Sequence, residues 1–386
     1  MKLSKNLSYT SALIVFLLGL VFLTQSSCKK DLIINKQSET SSKQSSTGTN
    51  IILGINKTNG EINLYRNITH DFLSKGGDIL IHKSQVEPIK IYKQNEPIDK
   101  TELAKLINEH ETNKYILPAS YSNDSLVCVM KGVSIWPDRI VRIGIDNYMP
   151  APLLNRVYKA IELWREKTNI GFEFITYEEA NIKGDSTYKV AVHLYRFSPD
   201  QVAYATVGTE LGIPGAIVLS EHMELSAVVH EFAHTFGFIH EHQRPSRDNY
   251  ITFQRTALME VLPGFYNQDS SVLDFNNLAG TADPTGDYYQ MMIPSYIQKY
   301  DVYSDNTTLA PFDHKSITMY PSYYPLEARE ILMRYNAPVF LTKDSNELCQ
   351  DPEITDPDKM ISDLDIKKVN TVYPLTTDRY TVNEHL

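Results

Sequence analysis

A chain of 386 residues is long enough for one large domain, a smaller companion and a substantial core. The composition is that of an ordinary globular protein, and a formal net charge of −10 excludes nucleic acid as a partner.

Residues 1–27 read as a signal peptide. Lys2 and Lys5 form a basic start, and Leu13 to Leu23 is an apolar run too short for a membrane span. Ser26, Ser27 and Cys28 follow, small residues and then a cysteine. This resembles a bacterial lipoprotein signal, in which the cysteine is lipidated and becomes the new N-terminus. The expectation is an exported protein held at a membrane by a lipid on Cys28. Lys29 stands where an aspartate would favour inner-membrane retention, so the outer membrane is expected, with the chain periplasmic or surface-exposed. Residues 28–50 then form a flexible tether, because 36–50 contains no large apolar residue to bury.

Residues 51–131 alternate β-like runs (Ile51 to Ile55, Ile79 to His82, Ile89 to Tyr92) with polar turns, plus a short predicted helix at Thr101 to Glu109. This N-terminal region carries no motif with chemistry of its own. Beyond Cys28, the cysteines are Cys128 and Cys349. Export permits a disulfide between them; two unpaired buried thiols are the alternative.

A sharper organisation starts near Gly132. Trp136-Pro137 precedes a strand at Arg139 to Ile145, and a helix is predicted over Pro152 to Thr168, with Leu154, Val157, Tyr158, Ile161 and Trp164 at helical spacing. Strands are predicted at Ile170 to Thr176, Val190 to Tyr195 and Ala216 to Ser220. This order suggests an α+β layer whose sheet packs on two helices.

The second of these helices, at about 224–237, carries His230-Glu231-Phe232-Ala233-His234-Thr235-Phe236-Gly237-Phe238-Ile239-His240-Glu241. Two histidines four apart project from one helix face, near enough to bind one metal ion. Glu231 lies one step round, within reach of a water on that metal. Gly237 allows the sharp turn out of the helix, and His240 returns as a third nitrogen ligand. Three histidines and an open position make a catalytic zinc site, since structural sites fill all four positions. Composition alone would produce this spacing in about one such sequence in 10^5. The apolar run Leu225 to Val229 buries the helix, and His242 is expected to be a surface neighbour. After His240 the chain is loop-rich, notably over 264–310, until a predicted helix at Asp363 to Tyr373 capped by Ser362.

HExxHxxGxxH followed by Glu241, Arg244 and Arg247-Asp248-Asn249-Tyr250 resembles the astacin family of metzincin zinc endopeptidases. Ile135-Trp136-Pro137 with Val141 to Ile145 is similar to the family's first strand, and Glu166-Lys167-Thr168 with Ile170 and Phe172 to the end of its first helix. Asp313, Ser316-Ile317, Tyr320 and Pro321 resemble its Met-turn segment; Asp365-Ile366, Asn370 and Tyr373 resemble its C-terminal helix. The resemblance spans 132–375 and implies an α+β, two-subdomain fold: a twisted sheet on helices above the active-site helix, then an irregular C-terminal subdomain. Residues 376–386 are a tail. There are departures. Thr318 occupies the place of the Met-turn methionine, and Met319 comes one residue late, so either forms the floor below zinc. Asn169 replaces a helix cysteine, His314 replaces a frequent tyrosine, and the distance from His240 to Tyr320 implies an insertion at 264–295.

The resemblance implies one Zn2+ on His230, His234 and His240, with Glu231 as general base and Tyr320 as a zinc ligand at rest that swings to stabilise the oxyanion. It implies that Glu241 contacts the N-terminus of a processed enzyme. It also implies a pro-segment aspartate that covers the metal, for which Gly77-Asp78 is the candidate. The expected protein is a monomeric endopeptidase acting on protein or peptide substrates. The rivals are a catalytically inactive relative acting as a binding or adhesion lipoprotein, and a zinc-storage lipoprotein that needs a fourth side-chain ligand.

Overall fold

The computed structural model describes residues 51–57, 62–68, 71–74, 79–92, 125–195, 203–265, 296–325, 328–350 and 356–375. Residues 1–27, Cys28 with its tether, Asp78, the Thr101 to Glu109 helix, most of the 264–295 insertion and the 376–386 tail lie outside them.

The isoleucine- and valine-rich runs become strands because β-branched side chains suit a pleated, buried surface. The N-terminal set is β1 (Ile51–Asn56), β2 (Ile62–Asn67), β3 (Phe72–Ser74), β4 (Ile79–His82) and β5 (Val86–Tyr92). The later set is β6 (Ile140–Ile145), β7 (Gly171–Phe174), β8 (Val190–Tyr195), β9 (Ala203–Thr206) and β10 (Gly215–Ser220). All ten form one sheet in the order β5-β1-β2-β3-β4-β9-β10-β8-β6-β7. The seam is β4 against β9, parallel, with Ile79 opposite Ala205 and Leu80 opposite Thr206. Residues 51–92 therefore continue the sheet of the later domain, an arrangement that their β-like runs did not reveal. Every residue of β10 is buried, as expected of a central strand covered on both faces.

Two helices pack on this sheet. Ala151–Lys167 begins just after Pro150 and buries Leu153, Val157, Ala160, Ile161, Leu163 and Trp164. Leu225–Thr235 is the histidine helix. Both tryptophans anchor it: Trp136 Nε1 donates to Thr235 O at 2.9 Å and Trp164 Nε1 to Val229 O at 3.0 Å. Tyr373 Oη donates to Phe236 O at 2.8 Å. Thr235 and Phe236 are at the helix end, where carbonyls lack helical partners, so two of these bonds satisfy groups that burial would otherwise strand.

The main core unites sheet and helices and already includes Leu126 to Val129. A second core lies in the C-terminal half, around Leu258, Tyr296, Tyr320, Leu332 and Phe340, beside the pair β11 (Ile251–Phe253) and β12 (Phe340–Thr342). Ile317 belongs to the first core and Met319 and Tyr320 to the second, so this segment passes between them. The C-terminal helix Asp363–Val372 is capped by Ser362, whose Oγ accepts from Asp365 N. Asn169, in place of a cysteine, bonds that helix instead: its N donates to Asn370 Oδ1 at 2.7 Å and its Nδ2 to Tyr373 O at 3.0 Å. The architecture is α+β, a mixed sheet on helices, as expected.

Cys128 and Cys349 are both free and buried, one in each core, which decides against a bridge. Burial raises each thiol to about 12, which keeps both protonated and unreactive at neutral pH.

Candidate metal centre

His230 and His234 face one way because four residues make slightly more than one helical turn. The helix then ends at Gly237, whose φ of 102° is open to glycine and strained for other residues. Gly237 N donates to His234 O at 2.8 Å, closing the turn, and the chain doubles back to place His240 against the pair. The three Nε2 atoms lie 3.0, 3.2 and 3.3 Å from one another.

The distances alone would suit ring-to-ring hydrogen bonds, but the other nitrogen of each ring decides where its proton sits. His230 Nδ1 lies 2.7 Å from Ile317 O, His234 Nδ1 2.7 Å from Phe238 O, and His240 Nδ1 2.5 Å from Gln243 Oε1. Each partner is an acceptor, so each Nδ1 carries the proton and each Nε2 presents a lone pair. Three lone pairs converging at this distance repel unless a cation lies between them. Tetrahedral zinc with Zn–N of about 2.0–2.1 Å would separate its ligand nitrogens by about 3.3 Å. The residues therefore fit zinc in donor type, spacing and tautomer. Among the described residues they are the one such group of histidine, cysteine or acidic side chains.

Glu231 is buried, 2% exposed, on the same helix. Tyr320 reaches the site from the second core: its ring centroid is 4.5 Å from that of His240 and 6.3 Å from that of His230. His242 is fully buried, which corrects the expectation of a surface residue. It lies 4.5 Å from the Tyr320 ring and stacks on Phe340 at 5.7 Å. Tyr324 also packs against Tyr320, with ring centroids 4.4 Å apart. Thr318 lines a small cavity with Ala233, Phe238, Ile239 and Glu241, whereas Met319 packs into the second core. Thr318, then, lies against the metal loop.

Glu241 is also buried, and its carboxylate is fully engaged. Oε1 accepts from Arg244 Nη1 at 2.6 Å and from Asp313 N at 2.9 Å; Oε2 accepts from Lys368 Nζ at 2.8 Å. Burial pushes its pKa up, but Lys368 and Arg244 pull harder and hold it below the usual carboxylate range. In the uncut chain the cations at this carboxylate are Lys368 and Arg244.

Sequence reading missed the ring acceptors. Gln243 had a local signal, three residues after His240 in the short turn Glu241–Gln243. The carbonyl of Ile317, eighty-seven residues from His230, had none.

Residues 129–278 match the family profile of Astacin (Peptidase family M12A). The astacin-like metalloprotease toxin 2 of Loxosceles intermedia is 25% identical over 242 residues, covering 62% of this chain and 73% of the toxin. Tolloid-like protein 1 of Mus musculus is 25% identical over 173 residues, 42% of this chain. The aligned part spans only 16% of that relative's length. Among solved structures, high choriolytic enzyme 1, a hatching enzyme zinc-protease from Oryzias latipes, aligns with 68% of this chain and 98% of its own at 15% identity and a TM-score of 0.41.

Proposed function

The chain belongs to the astacin family of zinc peptidases, and from that premise we propose that it is an endopeptidase that hydrolyses peptide bonds of protein or peptide substrates. The observation that carries this reading is the convergence of three ring nitrogens whose opposite nitrogens are all committed to acceptors. His230, His234 and His240 would hold one zinc ion. Bound there, zinc would supply Lewis acidity and lower the pKa of a water to about 7. Glu231 would accept a proton at its carboxylate from the attacking water and would later deliver it to the leaving amine. Tyr320, seated beside His240, directs its hydroxyl to the oxyanion of the tetrahedral state. Burial of the carboxylate and the rings packed around Tyr320 hold both groups in place.

The test is Glu231→Ala. It should bind zinc and fold as the wild type while losing hydrolysis of a peptide library; His234→Ala should lose zinc as well. Hydrolysis at the wild-type rate by Glu231→Ala would refute the mechanism. A wild type that binds zinc and cleaves nothing would return the chain to the rival reading, an inactive binding or adhesion lipoprotein.

Residues 51–131 fit a regulatory pro-like segment, supported by the pairing of β4 with β9 and by the hydrogen bond from Gln85 Nε2 to Glu210 Oε2. Asp78 immediately precedes β4. On this reading Asp78→Ala activates the intact chain, and equal activity of the intact wild type would remove Asp78 as a switch. A lipid on Cys28 would hold the enzyme at the outer membrane; intact mass with and without Cys28→Ser decides it.

A further inference from the structure

Below the metal loop lies a buried set of charges that the proposed mechanism does not use. Lys368, on the C-terminal helix, is 3% exposed and Arg244 is fully buried. Facing them are Glu241, 2% exposed, and Asp365, 5% exposed, with Asp313 and the less buried Asp305 at the edge. Arg244 is fully occupied: it donates to Glu241, to Asp305 through Nε at 2.8 Å and to Ala310 O at 2.9 Å. Lys368 Nζ bridges two of these acids, 2.8 Å from Glu241 Oε2 and 3.5 Å from Asp365 Oδ1.

Each of those acids leads to a metal ligand by a short covalent or hydrogen-bonded path. Glu241 is next in sequence to His240, and its N donates to Thr318 O at 3.2 Å. Asp365 accepts from Ser316 Oγ at 2.6 Å through Oδ1 and from Ile317 N at 2.8 Å through Oδ2. Ile317 O is the acceptor that fixes the His230 ring. Removing the ammonium would leave two buried carboxylates facing each other, and the segments they hold would move apart.

We infer that Lys368 is a positioning residue for the metal site: its buried ammonium, shared between Glu241 and Asp365, ties the loop carrying His240 to the segment that orients His230. The inference rests on the reading of the three histidines as a zinc site. Both oxygens of Glu241 have donors within the uncut chain, two of them cations. Burial alone would lower the lysine pKa, but the charges of Glu241 and Asp365 raise it above its ordinary value, which is consistent with a permanent cation.

The experiment measures zinc affinity, not hydrolysis. Full-length protein, shown uncut by intact mass, is titrated with Zn2+ against a chromogenic chelator, and its Co2+ form is read by visible absorption. Lys368→Met should weaken zinc binding about 10- to 100-fold, the usual effect of losing an outer contact to a metal ligand, and should alter the Co2+ spectrum. If Lys368→Met fails to fold, the pair Glu241→Gln with Lys368→Met removes one of the two carboxylates that would face each other, and the same loss is expected. A folded variant with wild-type zinc affinity and spectrum, whatever its melting temperature, overturns the inference. Zinc binding by the wild type without peptide hydrolysis would refute the peptidase reading alone, whereas a wild type that binds no zinc overturns both.

Discussion

Gly237→Ala tests how the turn after the histidine helix builds the site. Gly237 has φ 102°, well beyond the left-handed well near +50 to +70° that other residues visit. An added Cβ would stand 3.1 Å from Val129 Cγ1 and 3.5 Å from Ile135 Cγ2. Backbone strain of this kind costs about 1–3 kcal/mol, and the tight Val129 contact places the substitution near the middle, at about 2 kcal/mol. The turn can shift to relieve it, but its parts hold two ligands. Phe238 O fixes the His234 ring, and the backbone beyond leads directly to His240. Strain that the turn absorbs appears as lost stability; strain relieved by movement appears as lost metal affinity. The limits are a melting temperature lower by roughly 3 °C or zinc binding weaker by about 30-fold, with intermediate cases sharing the two. Thermal melts in chelator and competitive zinc titration on the same preparation measure both. A variant unchanged in melting temperature and in zinc affinity would refute the claim that glycine is needed here.

Two further outcomes follow from the site and the sheet. Tyr320→Phe should lower kcat by about 10²–10³ with little change in KM, because an oxyanion contact forms mainly in the transition state; steady-state kinetics on one peptide decide it, and a large KM effect at constant kcat would reduce Tyr320 to shaping the binding site. His193 is held down to about 4 from 6.5 by burial, against the opposing pull of Asp146 and Asp71, with Tyr177 Oη 2.7 Å from its Nδ1. In that window the unfolded chain binds the proton and the folded chain does not, so stability is full above pH 6.5 and falls as pH drops toward 4. Melting temperature against pH should be flatter in this range for His193→Gln, and an equal slope would remove His193 as the cause.

The parts of this protein that were legible in its sequence are those governed by local backbone geometry. The period of the helix places His230 and His234 on one face, and a glycine at Gly237 announces the reversal that delivers His240. The strands at Ile79, Val190 and Ala216 and the helices around Trp164 and Ile366 follow from apolar periodicity in the same way, each within a few residues of where it lies. What tertiary structure decided are the pairings between distant segments. The runs at 51–92 read as β-like, but only strand pairing shows that β4 lies on β9 and joins the sheet. His242 carries a polar side chain in a polar stretch and reads as exposed; Tyr320 and Phe340, far along the chain, close over it. Cys128 and Cys349 looked equally able to bridge until the fold put them in separate cores. Lys368 meets Glu241 across 127 residues. A local sequence window encodes which face of an element is apolar, because that depends on residues within one or two turns. It does not encode which buried charge will neutralise another, because that choice depends on how the whole chain packs.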